Sequence, residues 1–257
     1  MLTPPEIARS LLAAGESKAR LPFGKMLLLA ILAGAYIALA GVGATAAAVT
    51  VESGSLAKLL SACVFPAGLS MVILAGSELF TGNCLMVMAL LERRITPAQL
   101  LRNWLTVYLG NAAGGAAVAA LAVYSHTASL FGDGLARSMV SIAESKAALG
   151  FGDAFLRGVL CNFLVCLAVW MAAASKRAEG KVIALFFPIL LFVLCGYEHC
   201  IANLYYLPAG AFAAAEYGME TTLTLAGCLE NLAAVTLGNL VGGAALGVGY
   251  RFAYLKE

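Results

Sequence analysis

Residues 65–83 read FPAGLSMVILAGSELFTGN, and residues 187–203 read FPILLFVLCGYEHCIAN. Each runs from Phe-Pro through an apolar stretch to Gly-x-Glu, with an Asn five residues after the Glu. Gly76, Glu78 and Asn83 meet Gly196, Glu198 and Asn203 at a constant offset of 120. A second pair of segments follows in the same order. Leu109-Gly110-Asn111 with Gly114-Gly115 matches Leu237-Gly238-Asn239 with Gly242-Gly243, at an offset of 128. Chance supplies one such match; two in the same order point to a duplication. A Glu, a Gly and a Pro do not belong in a plain lipid-facing helix, because a freed backbone group or a charge in hydrocarbon finds no water. They fit discontinuous helices whose broken backbone faces a cavity, and a matched pair of such spans marks a transport site.

Around these segments the chain is overwhelmingly apolar. Of its 257 residues, 62% are hydrophobic and only 12% charged, and the mean hydropathy is +0.91. A soluble domain is nearer half apolar and a quarter charged, so an ordinary cytosolic enzyme, a nucleic-acid binder and a disordered chain are excluded. Charge-free runs cover 26–51, 59–77, 103–132, 158–175 and 231–250, and 182–215 is read as one further span with polar residues inside it. Each is long enough to cross a bilayer. The predicted fold is therefore an all-α integral membrane protein with six transmembrane helices.

Three spans per half place the second copy upside down in the membrane. The fold expected is two inverted three-helix repeats, with the second and fifth helices interrupted. The chain is read as a single channel domain over 1–257. Residues 1–24 form an amphipathic N-terminal helix, lying at the membrane surface or against a neighbour, and the repeats occupy about 25–125 and about 150–250. Thr3-Pro4-Pro5-Glu6 is a helix start. With the N-terminus inside, only Lys58, Arg137, Lys146 and Arg157 of the 16 Lys+Arg fall outside; the other twelve, Lys256 among them, predict cytoplasmic termini in a cell (inner) membrane. Glu78 and Glu198, with Asn83 and Asn203, are expected to satisfy backbone N–H groups where the helices break, the alternative being ion ligands.

Other chemistries have no residues to carry them. The seven cysteines lack zinc-type spacing and are read as small apolar helix residues. His126 and His199 fall in different segments, so no metal site is expected. No P-loop and no nucleophile set is present, and neither a cofactor nor an enzymatic activity is expected.

Ser77-Glu78-Leu79-Phe80-Thr81-Gly82, Gly196-Tyr197-Glu198-His199-Cys200-Ile201-Ala202-Asn203 and the segment from Gly158 to Met171 resemble the formate/nitrite transporter family from about residue 20 to about residue 250. The resemblance implies an aquaporin-like protomer, a homopentamer in membrane lipid with one pore per protomer, and passage of small monovalent anions or their conjugate acids. It implies a pathway past His199, the single pore histidine, with Thr81 and Asn162 beside it and Lys146 in the outer vestibule. It also implies apolar constrictions at Phe65, Leu69, Leu79 and Phe192. These are expected to bracket the histidine as Phe65/Leu69 and Leu79/Phe192.

A formate or nitrite anion crosses a dry pore at high cost, at least about 3 kcal/mol for a charge at mid-bilayer. A neutral acid passes apolar rings more easily. The expectation is that Lys146 concentrates the anion and that narrowing favours its protonation. His199 then either supplies a proton or stays neutral and donates a hydrogen bond. Hydrosulfide is an alternative substrate within the family. A neutral-solute channel of aquaporin shape is a further alternative, though its paired Asn-Pro-Ala boxes are missing.

Overall fold

The computed structural model describes residues 1–255; Lys256, counted above for orientation, lies outside the described residues. The helices are α1 (Pro4–Ala19), α2 (Phe23–Ala48), α3 (Gly54–Val64), α4 (Pro66–Ala75), α5 (Phe80–Asn83), α6 (Val87–Leu91), α7 (Pro97–Tyr124), α8 (Gly134–Ala147), α9 (Phe151–Ala173), α10 (Ala178–Leu194), α11 (Cys200–Glu216) and α12 (Leu225–Tyr254). A 3-10 turn at Cys84–Met86 joins α5 to α6. Local signals account for several starts. Thr96 and Gln99 form a reciprocal capping box ahead of Pro97 at α7, and the Thr224 hydroxyl caps α12 through Gly227 N–H.

Among the described residues, α2, α7, α9 and α12 are each long and apolar enough to cross a membrane without a break, and so is the stretch Gly54–Ala75 that α3 and α4 make together. The second and fifth spans are broken. The second continues beyond the run read from sequence, because a further apolar helix follows the break over Phe80–Leu91. The break itself covers 76–79. The fifth breaks at 195–199, between α10 and α11. Both breaks use the same device: Gly76 and Gly196 adopt φ of +79° and +69°, which glycine tolerates and other residues rarely adopt. Ser77 N–H and Tyr197 N–H then reach back to Val72 O and Phe192 O at 2.9 and 3.0 Å, closing each half-helix with a six-to-one bond.

The two halves pack alike. α2 lies against α7, and α9 against α12, so tightly that a Cβ at Gly114 would run into Ile31 O and one at Gly242 into Val159 O. These four residues correspond at the 128 offset, and the glycines serve close helix approach. α1 packs against the bundle through Ile7, Ala8, Leu12, Gly15 and Ala19. Leu2 N–H bonds Ala174 O, Arg94 pairs with Glu16, and Arg251 pairs with Glu92. The described parts of both termini therefore gather at one end of the bundle, called here the near end.

Candidate functional site: two half-helices between two chambers

Two chambers open toward opposite ends of the bundle. The far one, about 750 Å³, is walled by the C-terminal end of α2, by α3, by α8 and by the residues around Glu198. The near one, about 310 Å³, is walled by α1, by the end of α4 and by the end of α9. Between them the second half-helix of each broken span begins, at Phe80 and at Cys200.

Asparagines on the third span of each half hold these starts. Asn111 Oδ1 accepts from Phe80 N–H at 2.9 Å, while its Nδ2 donates to Ala30 O and Glu78 O at 2.7 and 2.9 Å. Asn239 repeats the pattern: its Oδ1 accepts from Cys200 N–H at 2.9 Å, and its Nδ2 donates to Gly158 O and Glu198 O at 2.8 and 2.9 Å. Each fully buried amide therefore satisfies both the first orphan donor of a half-helix and a carbonyl in the preceding break.

This corrects the role expected of the glutamates. Their carboxylates receive no backbone N–H in the break. Glu78 takes Lys18 Nζ at 2.7 Å and Asn83 Nδ2 at 2.8 Å; Glu198 takes Lys146 Nζ at 2.9 Å on both oxygens and Asn203 Nδ2 at 2.7 Å. The asparagines also bond across to Asn103 Oδ1 and Asn231 Oδ1, whose amides reach Lys18 O and Lys146 O. A short flexible amide donates to backbone without losing charge hydration, whereas a buried carboxylate needs a cation, so the two tasks fall to different residues.

Lys18 was missed from sequence, and its signal was present. Ala8-Arg9-Ser10 and Glu16-Ser17-Lys18-Ala19 recur as Ala136-Arg137-Ser138 and Glu144-Ser145-Lys146-Ala147, again at an offset of 128. The duplicated contacts thus include α1 and α8, which place the matching lysines at opposite chambers.

His199 and Thr81 meet across the pseudosymmetric centre. Thr81 Oγ1 lies 3.0 Å from His199 Nε2, and both side chains are buried. His199 is also the N-cap of α11, where its Nδ1 accepts from Ala202 N–H at 3.0 Å. A ring nitrogen that accepts a backbone N–H carries no proton itself, so a neutral imidazole has its hydrogen on Nε2, facing Thr81. Asn162 stands one layer behind this pair. Its Nδ2 donates to Thr81 O at 3.2 Å and Asn239 O at 2.6 Å, and it faces neither chamber.

The apolar residues divide by chamber rather than by the pairs expected. Phe65 and Phe192 close the far chamber beside His199, edge-to-face with centroids 5.7 Å apart; Phe192 also stacks on the His199 ring at 5.8 Å. Leu69 and Leu79 line the near chamber. Phe65 and Leu69 are one helical turn apart, which sets them at levels differing by about 6 Å, so they wall different chambers. Lys146 faces the far chamber, where its ammonium is engaged by Glu198 and lies 5.3 Å from the Tyr206 ring centroid.

The profile described as Formate/nitrite transporter matches residues 5–253. A probable formate transporter of Methanothermobacter thermautotrophicus is 38% identical, covering 99% of this chain and 98% of its own. The formate channel FocA of Escherichia coli is 34% identical, covering 100% and 96%. Among solved structures, an FNT family ion channel superposes with a TM-score of 0.88 at 30% identity, covering 96% of this chain and 98% of its own. A pentameric formate channel with formate bound superposes at 0.80 with 33% identity, covering 91% and 98%. This chain is a multi-pass membrane protein and belongs to the formate/nitrite transporter family.

Proposed function

We propose that each protomer is a channel for a small monovalent anion, formate first, which passes the two apolar narrowings as its neutral acid. The observation that carries this reading is the Thr81–His199 contact at 3.0 Å, set where two half-helices begin between two chambers. The positive ends of the half-helices favour negative charge at that point. The narrowings at Phe65/Phe192 and Leu69/Leu79 disfavour it, so an anion entering them is driven to take a proton from water. His199, neutral and fixed by Ala202 N–H, is a hydrogen-bond donor through Nε2 rather than a proton source. Charging the ring would put a second hydrogen on Nδ1 against the capping N–H.

In this reading Thr81, braced by Asn162, accepts or relays that hydrogen bond. Asn111 and Asn239 hold the breaks, while Glu78 and Glu198, each bonded to Asn83 or Asn203, anchor Lys18 and Lys146 at the two chambers. The protein is a channel, not an enzyme, and sits in the cell membrane as a homopentamer with cytoplasmic termini. The pentameric architecture of the formate-bound relative supports the oligomer.

Uptake by proteoliposomes of formate, nitrite and hydrosulfide, each measured alone and in competition, tests the substrate. Formate uptake well above that of protein-free vesicles, and faster at lower pH, is expected. Passage of glycerol with exclusion of all three would overturn the proposal in favour of a neutral-solute channel.

A further inference from the structure

The far chamber carries more positive charge than the site itself uses. Its wall holds Lys58, Arg137 and Lys146 against one carboxylate, Glu198. The charged wall residues of the near chamber are Lys18 and Glu78, which pair with each other. Lys146 is likewise spent on Glu198 at 2.9 Å. Lys58 and Arg137 remain: among the described residues neither has a carboxylate within ion-pair distance, and the Arg137 guanidinium has only the Gly132 carbonyl, at 2.6 Å.

Helical spacing places a free hydroxyl beside each of these cations. On α3, Lys58 and Ser61 are three residues apart; on α8, Arg137 is followed by Ser138 and Ser141, and all five face the same chamber. The hydroxyls of Ser61, Ser138 and Ser141 make no hydrogen bond to the protein among the described residues. Two walls of the chamber thus each present a cation and open O–H donors, which is the donor set of a small carboxylate or oxyanion. The duplication does not impose this arrangement. Arg9, the counterpart of Arg137, lies outside the near chamber's wall, and Lys58 plus the 120 offset falls on Ala178.

We propose that Lys58 and Arg137, with Ser61, Ser138 and Ser141, form a collecting site in the far chamber that binds the permeant monovalent anion before it reaches the narrowing at Phe65 and Phe192. The inference rests on the channel reading above and moves the collecting role from Lys146 to two residues to which that reading assigns nothing. A cavity wall of one sign raises the local concentration of the opposite ion, and salt removes the effect.

The test is the initial rate of formate uptake against formate concentration, in vesicles whose protein has the far chamber outward, as verified by protease access to an amino-terminal tag. At low ionic strength, Lys58→Gln and Arg137→Gln should each raise the half-saturating concentration about two- to fourfold, as one charge some 5–8 Å away implies. The maximal rate should be unchanged, and the curves should converge with wild type at high ionic strength. Lys181→Gln, on α10 outside both chamber walls, should do nothing. Unchanged half-saturation in both chamber variants at low salt overturns the collecting site, as does an equal effect at high salt. Line broadening of the formate NMR signal by detergent-solubilised protein reads occupancy without transport. Broadening diminished in Lys58→Gln while wild-type vesicles carry no formate would leave the collecting site standing and overturn the channel reading. Broadening unaffected by either substitution would overturn the site itself.

Discussion

Asn239→Ala removes the amide that holds the start of α11. Three bonds go: to Gly158 O, to Glu198 O and from Cys200 N–H, at 2.8, 2.9 and 2.9 Å. The side chain is fully buried, so water does not replace it at once. In membrane proteins a side-chain hydrogen bond averages about 0.6 kcal/mol, which sets a floor of about 2 kcal/mol for three. Leaving a buried donor and acceptor unsatisfied raises each loss toward about 1–2 kcal/mol. The better helix propensity of Ala returns about 0.5 kcal/mol. The net expectation is a loss of about 2–4 kcal/mol, seen as an apparent Tm lower by roughly 4–16 °C at this size. Unfolding in detergent is read as a rate-dependent process, so wild type and variant are compared at one scan rate. Asn239→Asp keeps an acceptor for Cys200 N–H but sets a buried carboxylate against Gly158 O and Glu198 O with no cation, and should lose at least as much as Asn239→Ala. Asn111→Ala should match Asn239→Ala, since its three bonds have the same partners in the other half. A Tm for Asn239→Ala within about 1 °C of wild type would refute the claim that these asparagines hold the breaks.

Two further outcomes follow from the same geometry. Phe192→Ala removes the ring that meets Phe65 edge-to-face and stacks on His199; the widened passage should admit hydrated ions, measured as a chloride conductance in planar bilayers that wild type lacks. The Glu144 carboxylate accepts Thr222 N–H and the Thr221 hydroxyl, which hold it below the usual carboxylate range. A carboxyl with a lowered folded pKa stabilises above its unfolded value and loses that contribution as pH falls through the folded one. The 217–224 connection should therefore lose amide protection at acid pH, most at Thr222, in hydrogen exchange corrected for intrinsic rates, and Glu144→Gln should show reduced protection at neutral pH.

The inverted repeat and its breaks were legible because their chemistry sits in a few polar letters against an apolar background. Gly76, Glu78 and Asn83 have no reason to recur at one offset unless the backbone they serve recurs. The partition of roles was less legible. Glu78 and Glu198 stand at the breaks in the sequence, but which polar group reaches an orphan amide depends on the third span, and Asn111 and Asn239 lie 31 and 39 residues from the amides they accept from. The pairing of apolar residues was misread for a similar reason. Phe65 and Leu69 are neighbours in sequence, yet one helical turn moves them to the walls of different chambers. Lys18 was readable from the Glu-Ser-Lys-Ala match of α1 with α8, but those helices lie outside the apolar spans that drew attention to the repeat.

The central claim is that a neutral His199 donates a hydrogen bond to a substrate that carries its own proton through the narrowings. His199→Asn tests it directly, because Asn caps a helix through its side-chain oxygen and can keep the bond from Ala202 N–H while removing the imidazole. Formate uptake by proteoliposomes is measured for wild type and His199→Asn at about pH 5 and about pH 7.5, on either side of the ordinary histidine range. The account predicts a lower rate for the variant with the same ratio between the two pH values as wild type. A ratio that collapses toward one in His199→Asn would mean that the imidazole itself supplies the proton, and would contradict the account.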